Sequence, residues 1–195
     1  MFVIRFALLS SFFYALNVSM LPLIYTFEIS AFLFLFIRFG TTFFTSLIVT
    51  KSLFSFSEVK HQKLGIWILI LSILFGVQSW LYVEAVKYMS VGLASVVLFT
   101  YPLITYLIVS ILKRRPLDLI TILMFIVATL GIAAISQSSE GYYSMVIGIV
   151  LALLSALTYS LILIITPRVS GLKNWEIVKY TTLIPALTFL YLFIN

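Results

Sequence analysis

The chain contains no cysteine, a single histidine and only six acidic side chains in 195 residues. Without cysteine there are no disulfides, no thiolate metal sites and no cysteine nucleophile. The histidine, His61, sits in a lysine-rich loop segment. No GxSxG, no HExxH and no pair of aspartates inside an apolar run occurs, so hydrolase and intramembrane protease chemistry has no visible carrier. Neither a cofactor nor a resident metal is expected, and the chain does not read as an enzyme. Charge is scarce overall, at 9%, where a soluble domain carries about 25%. The alternation of apolar and polar residues that marks a transmembrane β-barrel is also missing.

What remains is apolar. Hydrophobic residues make up 63% of the chain and mean hydropathy is +1.23. Lipid must be its solvent, and continuous apolar runs in lipid form helices that satisfy their own backbone. The fold class is therefore all-α integral membrane, a polytopic bundle of about seven transmembrane helices of the ~20 residues each that a bilayer core requires. The spans fall near 6–25, 29–50, 64–83, 91–112, 117–136, 144–166 and 176–195. The first resembles a signal peptide, but no small-x-small cleavage site follows, so it reads as a retained helix.

The net charge of +6 is better explained by topology than by nucleic acid. Arg5, Lys51, Lys60, Lys63, Lys113, Arg114, Arg115, Arg168, Lys173 and Lys179 gather on one side. The other side holds Lys87 with Glu28, Glu84 and Glu140. Basic residues stay cytoplasmic, so the N-terminus is expected inside a cell (inner or plasma) membrane. The expected partners are the lipid bilayer and a small-molecule substrate, with a homo-oligomer possible and nucleic acid excluded.

A repeat is visible. Ala7-Leu8-Leu9-Ser10, Tyr14, Leu16 and Pro22 recur at constant offset as Ala152-Leu153-Leu154-Ser155, Tyr159, Leu161 and Pro167. Five spans separate the copies, which would invert the second. The expected units are residues 1–136, a five-helix repeat, and 144–195, an incomplete second one. Inverted repeats are characteristic of secondary transporters with a midplane site.

Candidate site residues follow from polarity at depth. Arg38 lies inside span two, roughly 14 Å from one end at 1.5 Å per residue, where a charge must find carbonyls, a carboxylate or water. It reads either as a substrate-pathway charge or as a structural arginine. Ser10, Tyr14 and Asn17 form a polar face on span one, with Ser155 and Tyr159 as repeat mates. In span three, Gln78, Trp80 and Tyr82 cluster; tryptophan and tyrosine suit an interfacial belt, while Gln78 needs a partner. Tyr101 and Pro102 sit near the middle of span four, where Pro102 frees a carbonyl near Leu98 and is the candidate hinge. Pro185 in span seven is similar. Gly148, Ala152 and Ala156 form a small-residue ridge, and Gly131, Ala133 and Ala134 a small patch, both suited to helix packing.

One stretch carries a resemblance. Residues 82–116 hold Ala85-Val86 at a span end, then Lys87-Tyr88, Ser90, Ala94-Ser95, mid-span Pro102 and a charged exit before Pro116. This order resembles the third-to-fourth helix region of the drug/metabolite transporter superfamily, EamA type. Asn17 matches a common asparagine of the first helix, and an arginine like Arg38 recurs in the second. The departure is Arg114, where an acidic residue is usual. The resemblance implies two inverted five-helix halves and a secondary carrier for a small metabolite, amino acid or drug-like solute, working by alternating access. The chain stops after span seven, where the resemblance would continue with three more helices. The alternative expectation is a truncated, non-transporting protein or a half-subunit that needs a partner.

Overall fold

A computed structural model describes residues 12, 16–50, 64–114, 118–136, 142–169 and 171–195. Among them the regular structure is helical throughout. The described end of span one is helical over Leu16–Thr26 and is called α1. It is followed by α2 (Ala31–Thr50), α3 (Gly65–Ala85), α4 (Val91–Leu98), α5 (Tyr101–Leu112), α6 (Leu119–Ser136), α7 (Tyr142–Ile165) and α8 (Asn174–Ile194). A 3-10 turn, Thr166–Val169, closes α7. Among the described residues, five stretches are long and apolar enough to cross a membrane, with α4 and α5 counting as one, Val91–Leu112. The chain is a polytopic membrane helix bundle.

α3 is the central element. Its two faces are taken by α7 on one side and α8 on the other. α8 also runs along the length of α2, and α4 and α5 both rest on α7. Small residues permit these approaches. Gly76 of α3 receives Pro185 of α8; a Cβ there would meet the proline ring at 3.5 Å. Gly148 of α7 lies under the turn after α3, where a Cβ would meet Tyr88 and Met89 at 3.1 Å. Ala152, Ser155, Ala156 and Ser160 continue that face of α7 and are fully buried. In lipid, helix association relies on such close packing, because the surrounding tails are as apolar as leucine.

Contacts at the two ends set the helix directions. The Tyr25 hydroxyl at the end of α1 donates to the Val83 carbonyl near the end of α3, at 2.7 Å. Glu84 and Lys87 pair at 2.7 Å at this same end. At the other end, Arg168 stacks over the Trp67 ring at 4.0 Å, fastening the 3-10 turn to the start of α3. Phe189 of α8 stacks with Phe39 at 5.9 Å and Phe32 at 6.4 Å on α2. α1 therefore ends where α7 begins, and the two run in opposite directions.

Three details differ from the sequence expectations. Span four is two helices rather than one kinked rod. The break lies at Phe99 and Thr100, and Pro102 stands in the first turn of α5, where its missing N–H is tolerated. The Val97 carbonyl accepts both the amide and the hydroxyl of Thr100, at 3.1 and 2.8 Å, closing the end of α4. Pro185, by contrast, leaves α8 a single helix. Lys179, counted from the sequence among the charges of one side, is enclosed in the bundle. It is the sixth residue of α8 and its side chain is 0% exposed.

Candidate functional site

Arg38 is half-buried on α2. Its position follows from the turn before it, where Glu28 takes a left-handed φ of 54° and reverses the chain into α2. Its own carbonyl accepts the hydroxyls of Thr41 and Thr42 at 3.0 and 2.8 Å. Such back-bonding satisfies the threonines within the helix. α2 packs beside α3, which carries Tyr82. Tyr82 is buried and its hydroxyl meets the Ser95 hydroxyl of α4 at 2.8 Å. Ser95 also donates to the Val91 carbonyl at 2.8 Å. With its one proton committed there, Ser95 accepts and Tyr82 donates. A phenol from α3 and a hydroxyl from α4 thus form a polar corner, with Arg38 on the neighbouring helix α2.

A second pair forms at the break between α4 and α5. Tyr101 and Tyr159 meet edge to face, with centroids 4.6 Å apart and planes at 74°, the geometry aromatic quadrupoles prefer. The Ser160 hydroxyl reaches the Tyr101 carbonyl at 2.9 Å, tying α7 to the first turn of α5. Tyr101 also packs against the core cluster that contains Tyr82, Leu98 and Ala156. Tyr159 packs against a second cluster, with Ile68, Leu71 and Tyr180, so the tyrosine pair bridges the two cores.

The remaining candidates divide. Gln78 is buried and faces α7, where its Nε2 donates to the Ser155 hydroxyl at 3.1 Å and its carbonyl accepts from that hydroxyl at 3.0 Å. This reciprocal bond supplies the partner an amide in hydrocarbon requires. Trp80 projects from another face of α3 and lines an apolar cavity of about 350 Å³ with Phe32, Gly76, Pro185 and Phe189. Ile73, Val77 and Leu192 at its rim are exposed on the outside of the bundle. Gln78 and Trp80, two residues apart in sequence, thus serve different interfaces. Asn17 is half-buried on α1. Tyr14 and Ser10 lie outside the described residues.

Sequence reasoning missed Lys179. Its ammonium lies over the Tyr180 ring at 5.0 Å, a favourable site for a cation away from water. Span seven, as delimited from hydropathy, already enclosed this lysine, so depth within the run was the available signal. Counting it only among the charges of one side hid it.

The model of the EamA-like transporter family matches residues 1–137. The chain belongs to that family. The match covers the first five spans, including the whole of α2 to α5 that build the polar corner. No curated protein and no solved structure matches the chain. EamA-like membership makes it a membrane transporter of the drug/metabolite superfamily, a class of carriers and not of enzymes.

Proposed function

We propose that this EamA-like chain is a secondary carrier that moves a small organic solute by alternating access. The observation that carries this reading is the polar corner of Tyr82 and Ser95, with Arg38 on the neighbouring helix and the Tyr101–Tyr159 pair at a broken helix. Broken helices and polar groups at depth are the usual ingredients of a midplane transport site. An arginine inside a span is costly, at least ~2.5 kcal/mol on insertion scales, which fits a working role for Arg38. The break at Phe99 and Thr100 gives span four a point at which α4 and α5 can reorient, and Pro102 keeps that point from closing into one helix. The N-terminus is assigned to the cytoplasmic side by the lysine and arginine count. Spans one and six are assigned to inverted repeat units, 1–136 and 144–195.

The test is uptake and efflux in vesicles carrying the chain, with amino acids, nucleobases and cationic drugs as the panel. Substrate-dependent flux above empty vesicles, reduced by Arg38→Ala, is the expected result. No flux of any solute would favour a non-transporting protein or a subunit that needs a partner.

A further inference from the structure

The apolar cavity between α3 and α8 has walls that follow helical spacing. Ser72, Gly76 and Trp80 recur every four residues along α3, and Ile184, Thr188 and Leu192 do the same along α8. The two helices run in the same direction. Ser72 donates to the Tyr180 carbonyl at 3.3 Å, and Gly76, one turn on, meets Pro185. The two rows therefore frame a slot parallel to the helix axes, roughly 12 Å long at 1.5 Å per residue. Phe189 and Phe32 of α2 also line it, stacked with centroids 6.4 Å apart. Ser72 and Trp80 are the eighth and sixteenth of the 21 residues of α3, so the slot lies at the depth of the hydrocarbon core.

The lining decides the chemistry of the occupant. Among the described residues, no charged side chain borders the slot. Ser72 gives its proton to the carbonyl of Ile68 or Tyr180, and Thr188 gives its proton to Ile184. A charged or strongly polar occupant would lose its hydration there without replacement. The mouth lies between Ile73, Val77 and Leu192, which are exposed on the outside of the bundle. Both walls belong to helices long and apolar enough to span the membrane, so this mouth opens on lipid and not on water. The section decides the size. About 350 Å³ spread over that length gives a mean section of roughly 30 Å², well below the ~80 Å² of a helix 10 Å across. One extended hydrocarbon chain fits, and a whole helix does not.

We propose that the slot is a binding site for one acyl chain of a membrane phospholipid. The chain lies along the helix axes between α3 and α8. Its glycerol end is toward Trp80, five residues before the end of α3, because tryptophan suits the boundary between headgroups and hydrocarbon. Its methyl end is toward the contact of Ser72 with Tyr180, which closes the slot. The chain fills the space beside the Gly76–Pro185 approach and so supports the packing of the two helices, which in lipid depends on close contact. The site is separate from Arg38, Tyr82 and Ser95 and does not depend on the carrier reading.

The test titrates the full chain in detergent with palmitoyl-oleoyl phosphatidylcholine and counts bound lipid by native mass spectrometry. One tightly held lipid per chain is expected. Thr188→Phe and Val77→Phe each place a ring in the slot from an exposed position. Each should weaken binding about tenfold or more, the effect of unseating as few as two methylenes. Leu187→Phe, also exposed on α8 but outside the lining, should bind as the unaltered chain does. A lysophosphatidylcholine with one oleoyl chain should compete, and glycerophosphocholine, which has the headgroup and no chains, should not. A single symmetrical elution peak identifies the variants that fold. Unchanged lipid binding in folded Thr188→Phe and Val77→Phe would overturn the site. So would competition by glycerophosphocholine, or equal weakening by Leu187→Phe. A change of oligomeric state in the two slot variants, with lipid binding intact, would overturn it in favour of a second copy of the chain.

Discussion

Gln78 shows how a residue can look functional and be held structurally. Its side chain and its carbonyl are both tied to Ser155, so α3 and α7 share two hydrogen bonds at one point. Replacing Ser155 with alanine removes both. A double-mutant cycle with Gln78→Leu should give a coupling of about 0.6 to 1.7 kcal/mol, the range seen for hydrogen bonds between membrane helices. Thermal unfolding in detergent measures it, and additivity of the two substitutions would deny the pair. The sequence announced that Gln78 needed a partner. It did not announce which, because a serine in a small-residue ridge carries no direction until the helices are docked. Arg38 was legible from depth alone. Tyr82 was read with the interfacial belt, since its bond to Ser95 across α3 and α4 is a tertiary fact. Lys179 was legible in principle, since it falls inside span seven, but it was counted only among the charges of one side.

At the scale of helices, packing depends on where side chains are absent. At Gly148 an added methyl would press against Tyr88 and Met89 at 3.1 Å and the Ala85 carbonyl at 3.3 Å. The backbone oxygen cannot move away cheaply, so Gly148→Ala should destabilise by about 1–3 kcal/mol, the usual cost of overpacking. Gly92, with open space around its would-be Cβ, is the control, and Gly92→Ala should be neutral or slightly stabilising because alanine favours a helix. Equal thermal shifts for the two would contradict this packing. The turns behave differently. Glu28 and Arg114 occupy left-handed backbone, with φ of 54° and 51°, which costs a side-chain-bearing residue roughly 1–2 kcal/mol. Glu28→Gly should therefore raise stability by about 1 kcal/mol, read as a higher midpoint of unfolding. Helix number and approximate limits were visible from apolar run length, since the bilayer imposes it. The break in span four was displaced from the proline that signals it, because Pro102 fits the first turn of α5 and Thr100 closes the end of α4 on the Val97 carbonyl.

At the scale of the molecule, the chain combines membrane helices with EamA-like membership over residues 1–137. The lack of cysteine makes its topology easy to test. Single cysteines at Glu28 and Gly171, both exposed, should react with an impermeant thiol reagent on opposite sides, Glu28→Cys from outside and Gly171→Cys only after permeabilisation. Reaction of both from the same side would refute opposite directions for spans one and six. The repeat could be suggested from spacing alone because Tyr14 and Tyr159, and Pro22 and Pro167, keep one offset.

The most direct measurement is solute flux through the reconstituted chain, with Arg38→Ala alongside the unaltered protein. The account predicts flux above empty vesicles that falls about tenfold or more when the guanidinium is removed. Flux that proceeds unchanged in Arg38→Ala, with the variant folded and inserted, would contradict the placement of the transport site at the corner formed by α2, α3 and α4.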